Sequence, residues 1–518
     1  MSGDELVQGF REFKQLWDPD WAMNPGKVVD PAPITSNLRL GTDFRPPEVQ
    51  TQFAYPDDGG SFAHATTRCV GIGKCRKDGA GVMCPSYMVT REEKHSTRGR
   101  AHLLWEMLNG EELELWRSTD VLDALDLCLS CKGCTHECPV NVDLPTLKAE
   151  FLSHHYAHRL RPRHAYAFGF IDRWARLASF APGLANLTTQ TPGLAALAKL
   201  AAGASRRREL PPFAPVTLKS WFRRRPSAAT GDARVLLWPD TFTNFFEPEI
   251  GAAAVEALER AGFTVMLPGA HLCCGRPLYD YGFLDRARSY AERAIRALRA
   301  EIRAGVPLVG VEPSCVAVFR DELPKLLPED EDAKRLARQT FHLAEFLLEH
   351  VDGYEPPRLV RRMLLHGHCH ERATKGFEPA HKLLERMGAQ VEAPDSGCCG
   401  MAGAWGYEEA HYEVSLACAE RVLLPAVRDA APQTLLVTDG FSCRSQIEQA
   451  GTGRRALHLA QVLQLAYRYG EHGPPGRFPE QAAPDLSPVS GRGRLATAAV
   501  ASGAGAAAVG VWAWRRRR

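Results

Sequence analysis

The sequence predicts a multidomain α+β chain, in which a helical, cysteine-bearing segment precedes a duplicated α/β unit. Three observations carry that prediction. Seven of the fifteen cysteines sit between residues 61 and 155, among stretches whose apolar residues recur at helical spacing. From 231 to 470, apolar β-branched runs alternate with helical stretches, the pattern of a parallel sheet. Within that region, blocks of sequence recur at an offset of roughly 125–130 residues, the mark of an internal duplication.

A chain of 518 residues is too long for one small core, so several domains are expected. Its 63 basic and 61 acidic residues nearly cancel, which excludes a global field for nucleic acid. The opening MSGDELVQGFREF has no apolar signal-peptide core, and an odd number of cysteines argues against a secreted disulfide framework. The thiols are therefore expected to be reduced, cytoplasmic and available to metal.

In chain order, residues 1–60 read as a short helix over 5–17 and then a turn-rich connection with no Gly-rich nucleotide loop. Residues 61–155 form the densest chemistry, with one helix expected over 99–116. Residues 156–230, rich in Ala, Leu and Arg, read as a helical connector broken by Pro182 and Pro192. The two repeats follow at 231–345 and 346–470. In them Val235 to Trp238 matches Met363 to His366, LCCG matches GCCG, and the segment ending at Cys315 matches the one ending at Cys443. The cysteines then fall just past strand ends, where open α/β sheets place ligands. A Pro/Gly-rich linker is expected over 471–490 and an Ala-rich tail over 491–518. Residues 495–514 are long enough to cross a bilayer but only weakly apolar, so a membrane anchor and a plain Ala-rich tail are the two readings.

The run Cys128-Leu-Ser-Cys131-Lys-Gly-Cys134-Thr-His-Glu-Cys138-Pro139 has the spacing in which three thiolates wrap one four-iron cluster and the fourth ligates a neighbour. Zinc ribbons use two separated CxxC knuckles instead of one such run. The partner run is Cys69-Val-Gly-Ile72-Gly-Lys-Cys75, then Cys84-Pro85, with Ile72 at the middle-cysteine position. With crossed ligation, Cys84, Cys128, Cys131 and Cys134 hold a [4Fe-4S] cluster, and Cys69, Cys75 and Cys138 hold the other. Three thiolates and an apolar residue suit a [3Fe-4S] cluster, a second [4Fe-4S] cluster completed by water or another side chain being the alternative.

These two runs, separated by a segment containing HSTRGRA, resemble the α-helical two-cluster ferredoxin domain of succinate dehydrogenase and glycolate oxidase iron–sulfur subunits. The LCCG and GCCG segments resemble the duplicated cysteine-rich "CCG" domain of heterodisulfide reductase and of bacterial lactate and glycerol-3-phosphate dehydrogenase subunits. HGHCH, DSGCCGMAGAWGYE and DGFSCRSQIE resemble the C-terminal iron–sulfur half of fused FAD and iron–sulfur D-2-hydroxyacid dehydrogenases, acting on D-lactate, glycolate or D-2-hydroxyglutarate. FREFKQLWDPDWAMNPGKVVDP resembles the end of the FAD-linked oxidase domain that precedes the ferredoxin segment in those fusions, with the rest of the flavin domain absent. The resemblance implies an electron-transfer subunit: FAD on a separate dehydrogenase partner, a quinone or other acceptor, and no hydroxyacid oxidation by this chain alone. A heterodisulfide-reductase-like thiol–disulfide enzyme and a non-catalytic truncated relic are the alternatives. It also implies a ligand set in each full CCG module. The second copy retains Cys369, Cys398, Cys399 and Cys443, enough for a third cluster. The first keeps only Cys273, Cys274 and Cys315, with Thr241 in the leading position.

His366, His368 and His370 are expected to alternate along an extended segment around Cys369 and to help bind metal or accept a proton. Cys418, in a helical stretch, reads as core. The arginines at 206–208 and 223–225 read as solvated charge, with docking to an acidic flavoprotein or to lipid phosphates as the alternative. A place at the inner face of the cell membrane is therefore a further expectation.

Overall fold

Short polar side chains at helix starts punctuate the first half of the chain. The structure, a computed structural model, describes residues 3–484 apart from 37–39, 42–43, 80, 111, 227–230, 232 and 375. The expected tail over 491–518, with its candidate span, lies outside the described residues. Met1–Glu48 and Val49–Arg518 are separate compact units. In the first, α1 (Gly3–Trp17) is amphipathic yet buries none of its residues.

In the second unit, α2 (Phe62–Thr67), α3 (Pro85–Thr90), α4 (Thr97–Asn109), α5 (Thr119–Asp126), α6 (Gly133–Glu137) and α7 (Leu144–His155) carry the first seven cysteines or the loops between them. Ser61, Ser96, Ser118 and Asp143 cap α2, α4, α5 and α7 by accepting a backbone N–H. Helix α4 stops at Asn109, short of the expected Trp116, because the chain turns extended at Gly110. Glu150 is fully buried on α7 and accepts the N–H groups of Gln52 and Phe53 at 2.9 and 3.0 Å, which pins the incoming chain to this helix.

Five helices follow: α8 (Arg163–Gly169), α9 (Ile171–Ala178), α10 (Pro182–Gln190), α11 (Pro192–Ala202) and α12 (Leu218–Arg224). Of the basic run at 206–208, Arg208 is not solvated charge. It is buried, donating to the Gly406 carbonyl at 2.9 Å and the Ser415 hydroxyl at 2.8 Å.

Two all-parallel sheets come next. The first contains β1 (Arg234–Trp238), β2 (Thr264–Met266), β3 (Leu308–Gly310) and β4 (Thr340–His342), in the order β2-β1-β3-β4. The second contains β5 (Arg362–Leu365), β6 (Gln390–Glu392) and β7 (Leu435–Val437), in the order β6-β5-β7. The registers repeat: Leu236 pairs with Leu308 in one sheet, as Leu364 does with Leu436 in the other. Beyond β7 a parallel bridge from Val437 to Leu457 takes the place of β4. His342 and His458 then start equivalent helices, each in a reciprocal capping box, with Glu345 and Gln461 respectively. The helix begun at His342 runs through Glu349, so it crosses the repeat boundary expected at 345.

The expected linker at 471–490 is packed over its described part. Glu480 is buried and paired with buried Arg454 at 2.7 Å, and Val360 donates to the Glu471 carbonyl. Composition signalled a loop, but the exposed edge of the second repeat holds it down. Among the described residues, no helix is long and apolar enough to cross a membrane.

Candidate metal centres

The segment 82–84 and the loop 128–134 lie side by side. Ser130 and Lys132 adopt left-handed backbone (φ 49° and 58°), which curls the loop so that its thiols turn inward. Gly133 packs so closely on Met83 and Val82 that a Cβ would meet the Met83 nitrogen at 2.9 Å. Glu137 accepts the N–H groups of Val82 and Met83 at 2.6 and 3.1 Å, and Cys131 Sγ lies 3.9 Å from the Val82 carbonyl. Cys84 therefore stands next to the second run by its backbone.

Its sulfur also faces the first run, at the N-terminus of α4. The Thr97 N–H points at Cys84 Sγ at 2.9 Å, and the Arg98 N–H points at Cys75 Sγ at 3.3 Å. The hydrogen bond from Cys84 brings the Cys75 thiol down to about 6, with the Arg98 N–H helping, whereas burial pushes Cys84 up. Backbone N–H groups and a helix N-terminus favour thiolate, the form that ligates metal. Cys69 and Cys138 are half-buried, and Ile72 is 57 % exposed.

Cations close in around the second run. Lys132 is buried and paired with Asp321 and Glu322 of the first repeat, Lys148 donates to the Cys128 carbonyl at 2.7 Å, and Arg276 donates to the Ser130 carbonyl at 3.0 Å. Burial and the neighbouring Cys369, Cys134 and Cys128 push the Cys131 thiol up. Without compensation, three thiolates so deeply buried would repel one another. Converging sulfurs amid N–H donors and buried cations are a donor set that suits a buried anionic iron–sulfur cluster.

The second repeat gathers a further donor set. Cys369 is hydrogen-bonded to Cys398, and Cys399 to Cys398 and Cys443. Hydrogen bonds from Cys398, and then from Cys443 and His366, hold Cys399 well below the usual thiol range. Cys369 is lowered to about 7, chiefly by Cys398. A ring nitrogen of His366 and the sulfurs of Cys399 and Cys443 all lie within 4.8 Å of one another. His366 Nδ1 is fixed by the Ser396 hydroxyl at 2.6 Å, which leaves the buried Nε2 for the sulfurs.

The expected alternation of the three histidines does not occur, because β5 ends at Leu365 and a helix begins at Cys369. His368 accepts from the His370 N–H, and His370 Nε2 instead reaches the Ser130 carbonyl at 2.9 Å. Gly440 admits the His368 ring, with which a Cβ would collide.

In the first repeat, Cys274 and Cys315 sulfurs are 3.0 Å apart, and Thr241 Oγ1 stands 3.8 Å from Cys273 Sγ, where the second repeat has Cys369 against Cys398. Trp238 holds the register of His366. The two repeats thus differ at both outer donors: His366 and Cys369 in one, Trp238 and Thr241 in the other. Cys418 is fully buried in its helix.

Sequence reasoning missed the shared chamber. Cys128 from the first region and Cys273, Cys274, Cys315 and Cys369 from the repeats all line one cavity of about 1070 Å³. Val82, Leu129 and Cys131 pack in a single buried group with Cys369, Cys398 and Trp405. At another wall, Tyr281 donates to Glu408 at 2.8 Å, and His164 and His411 stand 3.4 and 3.3 Å from the same carboxylate. No pattern in the sequence joins residues so far apart.

Comparison with known proteins places a 4Fe-4S dicluster domain at residues 65–142 and a cysteine-rich domain at 240–320 and again at 364–448. The D-2-hydroxyglutarate dehydrogenase of Escherichia coli (strain K12) is 28% identical over 523 residues, covering 89% of this chain and 49% of that protein. A subunit of the anaerobic glycerol-3-phosphate dehydrogenase of the same organism is 30% identical over 270 residues, which are 50% of this chain and 66% of that one. Lactate utilization protein A of Bacillus velezensis is 28% identical over 244 residues, 44% of this chain and 98% of the relative. The chain spans about half the length of the D-2-hydroxyglutarate dehydrogenases it matches. It is thus a helical 4Fe-4S dicluster domain followed by two cysteine-rich domains built on parallel sheets.

Proposed function

We propose that the chain is an iron–sulfur electron-transfer component, receiving electrons from an FAD-containing dehydrogenase that acts on a D-2-hydroxyacid. The cysteine-rich repeats pass them to a quinone or other acceptor. Cys84, Cys128, Cys131 and Cys134 hold a [4Fe-4S] cluster, and Cys69, Cys75 and Cys138 a [3Fe-4S] cluster. Cys369, Cys398, Cys399 and Cys443 hold a third, with His366 Nε2 as a further donor. When bound, such clusters split the two-electron flavin step into single-electron transfers. Lys132, Lys148 and Arg276 balance the buried negative charge, and Leu129, Val82 and Trp405 exclude water between Cys131 and Cys369.

The observation that carries this reading is the packing of Cys131 with Cys369 and Cys398, which sets the dicluster region directly against the second repeat. Relatives that align with this chain are dehydrogenases and a dehydrogenase subunit by name. Reduced, metal-holding thiols also fit a cytoplasmic chain. Iron and sulfide analysis with EPR on anaerobically purified protein tests the assignment. More than about seven irons per chain and signals from three distinct clusters are expected, and protein that folds with none would overturn it.

A second reading is favoured by the 3.0 Å approach of Cys274 to Cys315, beside Cys273 and without a fourth cysteine. This trio can cycle between dithiol and disulfide. Cys315→Ser would then abolish reduction of an added disulfide while leaving every EPR signal in place.

A further inference from the structure

The helices between the dicluster domain and the first repeat turn an apolar face outward. On α9, Trp174 and Leu177 are exposed three residues apart, and Phe180 follows at 79 % exposure. On α10 the exposed pair is Leu184 and Leu187, and on α11 the exposed series is Leu194, Leu197 and Leu200, again at intervals of three. Such spacing puts each set on one side of its helix. Between residues 159 and 207 the sequence carries eight Lys or Arg, of which Arg207 is paired with Glu413, and a single acid, Asp172, which is buried; the exposed acid Glu209 follows. Apolar faces with Trp and Phe, flanked by basic residues and nearly free of acids, match an anionic lipid surface.

The same helices roof the 1070 Å³ cavity: Phe168 on α8, Ile171 and Trp174 on α9, and Ala198 on α11 line it from within. The walls are largely apolar, with Leu129, Leu152 and Phe242 among them, and the Glu408 cluster is one of their polar stretches, Arg276, Asp280 and Glu312 being others. Burial raises Glu408 to about 7. His411 and Lys148 favour its charge, Asp126 opposes it, and Tyr281 donates to it. Burial also lowers the facing His164 to about 4. The carboxyl is therefore available as a proton donor near neutral pH.

Resting on the electron-transfer reading above, we propose that α9, α10 and α11 seat the chain on an anionic lipid surface, and that the cavity behind them receives a lipid-borne quinone whose carbonyl meets Tyr281 and Glu408. The quinone takes two electrons, one at a time, from the reduced iron–sulfur clusters and two protons, giving quinol. One proton comes from the Glu408 carboxyl, which is reprotonated from solvent through His164, and this path serves again for the second.

The experiment uses the full chain with its clusters, sedimented with vesicles of phosphatidylcholine alone or mixed with phosphatidylglycerol. Wild type should sediment with the mixed vesicles. A variant carrying Leu177→Gln, Phe180→Ser, Leu184→Ser and Leu197→Gln, all exposed and none lining the cavity, should bind at least about tenfold more weakly. Its iron content and EPR signals should be unchanged. After dithionite reduction, oxidation by vesicle-borne decylubiquinone should slow in this variant, whereas oxidation by ferricyanide should not. Glu408→Gln should keep vesicle binding and slow only the quinone reaction, increasingly below pH 7, where wild type is protonated. Equal partition of wild type and variant overturns the proposal, as does wild type that ignores mixed vesicles or a face that only a flavoprotein partner covers. Loss of the iron–sulfur signals would instead strike the electron-transfer reading, since sedimentation is read without them.

Discussion

Ile72 is the residue on which the cluster type turns. It occupies a cysteine position in the first run, and its side chain is exposed and offers no lone pair. As isolated, the protein should show a near-isotropic EPR signal close to g = 2, the mark of an oxidised three-iron cluster. Ile72→Cys should replace that signal with a second reduced-state four-iron signal. A silent oxidised spectrum from iron-replete protein would remove the three-iron assignment.

Glu408 gives the residue scale a pH dependence. Burial raises its folded value to about 7 from the ordinary 4.5, so the fold prefers the neutral acid. The contribution of Glu408 to stability is therefore complete below about pH 4.5 and is lost as pH rises through about 7. Two and a half pH units correspond to about 3 kcal/mol. Between pH 4.5 and 8, wild type should lose up to about that much stability relative to Glu408→Gln, measured as urea midpoints at matched pH. Parallel pH profiles for the two proteins would show that this carboxyl is already ionised at low pH.

At the scale of elements, α6 is the joint between the two cysteine runs. Gly133 has no room for a Cβ against the Met83 backbone, and Glu137 closes the same joint from the other end. Gly133→Ala should force the loop away from residues 82–84, costing about 1–3 kcal/mol as overpacking does. The iron signal assigned to Cys84, Cys128, Cys131 and Cys134 should broaden or disappear, while a Cys418→Ser control keeps it. Retention of that signal at unchanged stability would mean that the two runs do not share a ligand.

For the whole molecule, the prediction concerns division of labour between the two halves. Cys399→Ser should leave both dicluster signals intact but slow delivery to an added acceptor by about tenfold or more, because Cys399 belongs to the second repeat and touches neither run. If it abolished the dicluster signals, the separation of electron receipt from electron delivery would fail. The chain expressed alone should also bind no FAD and oxidise no D-2-hydroxyacid until a flavoprotein is added. Stoichiometric flavin in the isolated chain would refute that.

The sequence by itself determined the local chemistry of this protein. Cysteine spacing and alternating apolar runs are short-range signals, so the two cysteine runs and the duplicated parallel strands were legible in the order of residues alone. That Thr241 takes the leading position of the first repeat could be read from the duplication, and the fold adds that its hydroxyl stands beside Cys273. Tertiary structure decided what depends on contacts between distant residues. It set Cys131 against Cys369, put His366 rather than His368 beside the Cys399 and Cys443 sulfurs, and buried Arg208, which composition marked as solvated. It also packed residues 471–484, whose Pro and Gly content signals a linker, and gathered Glu408, Tyr281 and His164 around one chamber. Periodicity shows that a helix has an apolar face, but only packing determines whether that face is covered. For that reason the exposed leucines of α9 to α11 looked like an ordinary connector in the sequence and emerged as an unpartnered face only in the fold.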